Sequence, residues 1–95
     1  MRDYELVAVI NPDVDEEGVS KILDKVSQSI NSRGGVVEET KRWGKRKLAY
    51  PIDKFMEADY VLTRFKLVPK AVKELESEVG ASRDVLRYLV VKVDA

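Results

Sequence analysis

The spacing of the apolar residues switches between a period of two and a period near 3.6 along the chain, and this alternation constrains the fold more than any other feature. In YELVAVI, residues 4–10, Tyr4, Leu6, Ala8 and Ile10 share one side and Glu5, Val7 and Val9 the other, the pattern of a strand with two partly apolar faces. Asn11-Pro12-Asp13 ends it, because Pro gives no N–H to a ladder and Asn and Asp favour turns. Val19, Ile22, Leu23, Val26 and Ile30 then recur at helical spacing behind the acidic run Asp13, Asp15, Glu16, Glu17. Asp15 is the expected cap, and Gly34 and Gly35 are the expected stop.

Residues 36–43, VVEETKRW, alternate poorly and carry charge on both sides, which suits an edge strand. A clearer strand covers residues 59–67, with Val61, Thr63, Phe65 and Leu67 expected toward the core and Tyr60, Leu62, Arg64 and Lys66 away from it. Pro69 suits the first turn of a second helix, buried through Val72, Leu75 and Val79 and capped by Gly80. Residues 85–93 form a last strand whose two sides are both mostly apolar. Strand, helix, strand, strand, helix, strand is the order of an α+β split βαβ sandwich: a four-stranded antiparallel sheet with both helices on one face. A chain of 95 residues, with no repeat or linker, is expected to be one domain spanning 1–95.

If the helices cover one face, the other shows Val7 and Val9, then Leu62, Arg64 and Lys66, then Arg87, Leu89 and Val91. An apolar patch ringed by cations is expected to meet a partner protein, unless the Arg and Lys stems simply cover it. Val9, Leu62, Arg64, Arg87, Leu89 and Val91 are the candidate partner-binding residues.

The charges sum to zero over 17 basic and 17 acidic residues, so attraction to a polyanion must come from uneven placement. Five of those bases fall within residues 41–47, KRWGKRK. Like charges so close repel, whereas phosphates placed against them release condensed counterions. Trp43 offers a ring on which an unpaired base can stack. Lys41, Arg42, Trp43, Lys45, Arg46 and Lys47 are therefore the candidate RNA-binding residues, presented on a loop. The bland alternative is a solvated, charged hairpin arm paired with Glu38, Glu39, Asp53 or Glu57, with Trp43 as an ordinary core or edge-covering aromatic.

Other chemistries find little support. The chain has no Cys and no His, hence no disulfide, no thiolate zinc site and no imidazole base. It has neither a GxxxxGK[ST] nor a GxGxxG loop, and its helical carboxylates lie among lysines as solvated surface. Hydrolysis through Asn11, or Asn31 with Arg33, is the residual enzymatic alternative; a metabolite-binding sandwich and a general single-strand binder are the others. No catalytic residue, metal or cofactor is expected. The absence of a long apolar run or a leader-like N-terminus points to a soluble cytoplasmic protein.

GKRKLAYPI at 44–52, with MRDYE at 1–5, NPD at 11–13 and VVK at 90–92, resembles the bacterial small-subunit ribosomal protein S6 family over essentially the whole chain. The resemblance implies a ferredoxin-like fold, no catalysis, and binding of small-subunit ribosomal RNA, in the central domain of the platform, together with ribosomal protein S18. It places Arg46 on the family's motif Arg and Leu48, Ala49, Tyr50, Pro51 and Ile52 on its hydrophobic continuation, with Leu48, Tyr50 and Ile52 expected to return the chain to the core. Lys41, Arg42, Lys45 and Lys47 are phosphate candidates on charge alone. Some relatives carry fewer bases before the Gly, and some carry an acidic C-terminal extension; the function of such a tail is not expected after Ala95.

Overall fold

A computed structural model of the chain describes residues 1–52 and 54–93. The elements run β1 (Arg2–Ile10), α1 (Glu16–Ser32), β2 (Val36–Ile52), β3 (Phe55–Leu67), α2 (Pro69–Gly80) and β4 (Val85–Lys92). The strands form one sheet in the order β2-β3-β1-β4, with every neighbouring pair antiparallel. Both edges are therefore strands flanking a β3-β1 centre, and β2 is an edge strand as its mixed charges suggest.

The side of β1 that carries Tyr4, Leu6, Ala8 and Ile10 is buried, and so is the side of β3 that carries Val61, Thr63, Phe65 and Leu67. Tyr4 stacks on Phe65 with ring centroids 5.7 Å apart. Val26 and Ile30 of α1 and Ala71, Leu75 and Val79 of α2 pack on this end of the sheet, while Val19 and Ile22 cover Ala8, Ile10 and Val61 at the other. Burial of this apolar stripe holds the helices to the sheet, since helices of this length gain little from propensity alone.

Local chemistry sets the helix ends. The Gly18 N–H donates to the Asp15 carboxylate at 2.8 Å, the N-cap expected from the sequence. At the other end Gly34 takes φ +79°, its N–H donates to Asn31 O and the Gly35 N–H to Ile30 O, the paired bonds of a Schellman stop. Gly80 behaves differently from its expected role as a cap. It is the last helical residue of α2, Ala81 is the cap, and a Cβ at Gly80 would lie 3.0 Å from the Tyr88 ring. Close packing of that ring is the reason for a glycine there.

The largest departure from the sequence reading is the segment after residue 43. It is not a loop. β2 continues to Ile52 and β3 begins at Phe55, so the basic run lies on the outgoing strand of a long hairpin arm. Leu48, Tyr50 and Ile52 belong to this arm, not to the core: Leu48 and Ile52 are half-buried and Tyr50 is 59% exposed. Of the three only Ile52 is paired, with Phe55, and the register is broken between Lys47 and Ile52, so the alternation does not bring them to the core.

Candidate nucleic-acid and partner interfaces

Cross-strand partners share a face of the sheet, so the register gives the surface opposite the helices row by row. Glu39, Arg64, Glu5 and Val91 form one row from β2 to β4. Lys41, Leu62, Val7 and Leu89 form the next, and Gly44, Tyr60, Val9 and Arg87 the third. The six candidate partner-binding residues all fall within these rows. Leu89 is 60% exposed and Val91 44%, whereas Leu62, in the sheet interior, is nearly covered.

Charge on this face is partly compensated. Arg64 donates to Glu5 at 3.0 Å and lies 3.8 Å from Glu39, and the Glu5 hydrogen bond raises the guanidinium pKa further above its ordinary value. Arg87 instead reaches an aromatic ring. Its Nη1 donates to the Tyr50 hydroxyl at 3.0 Å, and its guanidinium lies 5.5 Å from the centre of that ring. β2 and β4 are opposite edges of the sheet, so this contact requires the hairpin arm to bend back toward β4.

Three register shifts interrupt the β2-β3 pairing around the basic segment, the last between Lys47 and Ile52. β2 carries one extra residue between Val37 and Glu39 and another, Trp43, between Arg42 and Gly44. Such bulges re-aim side chains and increase local twist. Gly44 at the second takes φ +81°, a conformation in which a side chain is strained.

The candidate RNA-binding residues consequently divide into two groups. Arg42 sits opposite Val61, on the helix side, and forks onto Asp59, with Nη2–Oδ2 at 2.7 Å and Nε–Oδ1 at 3.4 Å. Asp59 is fully buried, and Glu16 at the start of α1 adds a second carboxylate 3.6 Å from Arg42 Nη1. The hydrogen bond to Asp59 raises the Arg42 pKa, against an opposing effect of burial. Lys41 lies 3.5 Å from Glu39. Lys45, Arg46 and Lys47, by contrast, are exposed and make no ion pair with any carboxylate among the described residues. Trp43, 44% exposed, stands between the two groups. Of the carboxylates weighed as alternative partners for the arm, Glu38 lies 4.0 Å from Lys66 and Asp53 lies outside the described residues.

The residues of the enzymatic alternative are otherwise employed. Asn11 Oδ1 accepts the Asp13 N–H at 2.8 Å. Arg33 is tied to Glu74 at 3.1 Å and Glu78 at 2.6 Å, and Ser29 donates to the same Glu78, so this cluster joins α1 to α2. Among the described residues no group of three or more His, Cys, Asp or Glu is placed to hold a metal, and no helix is long and apolar enough to cross a membrane.

Comparison with known proteins agrees with this fold. The family model described as Ribosomal protein S6 matches residues 3–92. The small ribosomal subunit protein bS6 of Fusobacterium nucleatum is 44% identical over 94 residues, 99% of this chain and 100% of the relative. That of Moorella thermoacetica is 40% identical over 94 residues, 99% of this chain and 96% of the relative. The crystal structure of 30S ribosomal protein S6 from Thermotoga maritima superposes with a TM-score of 0.91 at 31% identity, covering 97% of this chain and 87% of that one. The fold is accordingly the ferredoxin-like βαββαβ sandwich expected from the element order. With sequence and fold in agreement over nearly its whole length, the chain belongs to the ribosomal protein S6 family: a structural, non-enzymatic component of the small ribosomal subunit, associated with the ribosome in the cytoplasm.

Proposed function

We propose that residues 1–95 act as one RNA-binding domain that holds small-subunit ribosomal RNA in the central domain of the platform, together with ribosomal protein S18. The observation that carries this reading is the contrast within residues 41–47. Lys41 and Arg42 are matched to carboxylates of the same chain, while Lys45, Arg46 and Lys47 project from the arm without one among the described residues. Three adjacent cations without a close ion pair repel one another in the isolated protein, even with Glu57 across the strand from Lys47, and are favourable against phosphates.

S18 occupies the sheet face away from the helices in this proposal, resting on Leu62, Leu89 and Val91 with Val9, Arg64 and Arg87 around them. Leu89 and Val91 lose the most water there, because they are the most exposed apolar members of the three rows. Arg42 serves the interface indirectly, by anchoring the strand from which Trp43 and the free cations project, and Lys41 contributes a phosphate contact only by exchanging Glu39 for it. Alone the chain binds RNA weakly; with S18 the two surfaces add.

Co-sedimentation with small subunits, washed at rising salt, tests the reading. The wild-type chain is expected to stay bound until high salt and the Lys45→Ala/Arg46→Ala/Lys47→Ala variant to leave at lower salt. Recovery of the wild-type chain only in fractions free of nucleic acid would overturn it.

A further inference from the structure

Trp43, Arg46, Lys47 and Tyr60 line one open concavity of about 410 Å³ on the arm. Two aromatic rings and two cations converge there from different strands, although nothing in the core requires them to meet. Tyr60 lies directly opposite Gly44, which has no side chain to cover it. Trp43 is the unpaired residue of the adjoining bulge, so its ring is released from the alternation of β2. Arg46 is the next residue after Gly44 on the same face, opposite Ala58.

We infer that this concavity seats one unpaired nucleotide, its base against Trp43 and Tyr60 and its phosphate against Arg46 and Lys47. The inference rests on the RNA-binding reading above and names the chemistry of one subsite within it. The space is open to solvent, so it offers room for one nucleotide to rest against the two rings without being enclosed. Bases present both π-faces only when unstacked, which excludes a paired residue and selects a loop, bulge or strand end. An aromatic side chain from a partner protein would also fill the rings, but it would leave Arg46 and Lys47 without an anion. Phosphate satisfies both requirements in one ligand.

Trp43 is the only tryptophan of the chain, so its emission reports the subsite directly. The full-length protein is titrated at low salt with a fluorescently labelled adenine-rich single strand and, separately, with a fully paired duplex of the same length. The single strand is expected to quench Trp43 with the same midpoint as its anisotropy change, and the duplex to bind without quenching. Tyr60→Leu and Trp43→Leu are each expected to weaken the single strand by about 5- to 100-fold, the range found for loss of base stacking, and to leave duplex binding within about twofold. Tyr60→Phe keeps the ring and is expected to bind as wild type. Single-strand binding with unchanged Trp43 emission would overturn the nucleotide seat and leave the RNA reading standing, as would equal losses for strand and duplex at the exposed Trp43→Leu site. Absence of binding to either RNA would overturn both.

Discussion

Arg42 and Arg46 lie on one basic run and do opposite work. Arg42 neutralises a fully buried carboxylate, Asp59, so its loss strands a charge in the interior. Arg42→Ala is expected to lower the urea unfolding midpoint clearly, whereas Arg46→Ala, exposed and unpaired among the described residues, leaves it nearly unchanged. Equal effects would mean that the Arg42–Asp59 fork does not carry the strand. A second residue-scale prediction concerns acid. The Ser29 hydroxyl, followed by Arg33, holds the Glu78 carboxyl below its ordinary value of 4.5. A carboxylate depressed in the folded state contributes stability that is present above its unfolded pKa and is lost as pH falls through the folded one. Stability is thus expected to decline below about pH 4.5, and Glu78→Gln to flatten that decline without altering its pH dependence near neutrality. An unchanged acid slope in unfolding curves would contradict the assignment.

At the scale of the element, the arm is the unit that matters. It is a paired hairpin that Arg87 of β4 touches through Tyr50, by a hydrogen bond and by placing the guanidinium near the ring. Exposed contacts of this kind are worth about 0.5–1 kcal/mol, enough to bias orientation and too little to govern global stability. Arg87→Ala is expected to raise backbone mobility over residues 47–52 in NMR relaxation while leaving the unfolding midpoint nearly unchanged. Loss of global stability with a rigid arm would refute the contact's orienting role. The sequence made the four strands and two helices legible wherever the apolar period was clean, as in β1, α1 and the core half of β3. The hairpin arm is legible there only as the alternative to a loop, for a physical reason. The two bulges in β2 interrupt a period of two, and an edge strand in water needs no apolar side to announce it. The Arg42–Asp59 pair was hidden, because residues 17 positions apart meet only through the β2-β3 register. Position within the sheet also separated Leu62, nearly covered, from Leu89, which lies on the same row at an exposed edge.

Across the whole molecule, balance of charge conceals its distribution. Neutrality follows from equal numbers, 17 bases and 17 acids, and some cations also have a carboxylate neighbour: Arg33 between the helices, Arg42 of β2 beside Glu16 at the start of α1, Arg64 on the sheet face. Other cations also lack an ion pair, but the tip-ward half of β2 is where three consecutive residues, Lys45, Arg46 and Lys47, are cations without one among the described residues. A domain so arranged needs no net positive charge to bind RNA, only a local excess held on one stretch of an edge strand. Its salt dependence should reflect the local excess, with each phosphate contacted adding about 0.7 to the log–log slope on single-stranded RNA.

The most direct test is the salt dependence of affinity for a small-subunit RNA fragment, measured with S18 present, for wild type and for Lys45→Ala/Arg46→Ala/Lys47→Ala. Loss of three phosphate contacts is predicted to weaken binding and to make the log–log slope shallower by about 2. A variant that retains the wild-type slope would show that the polyanion is held somewhere other than the arm.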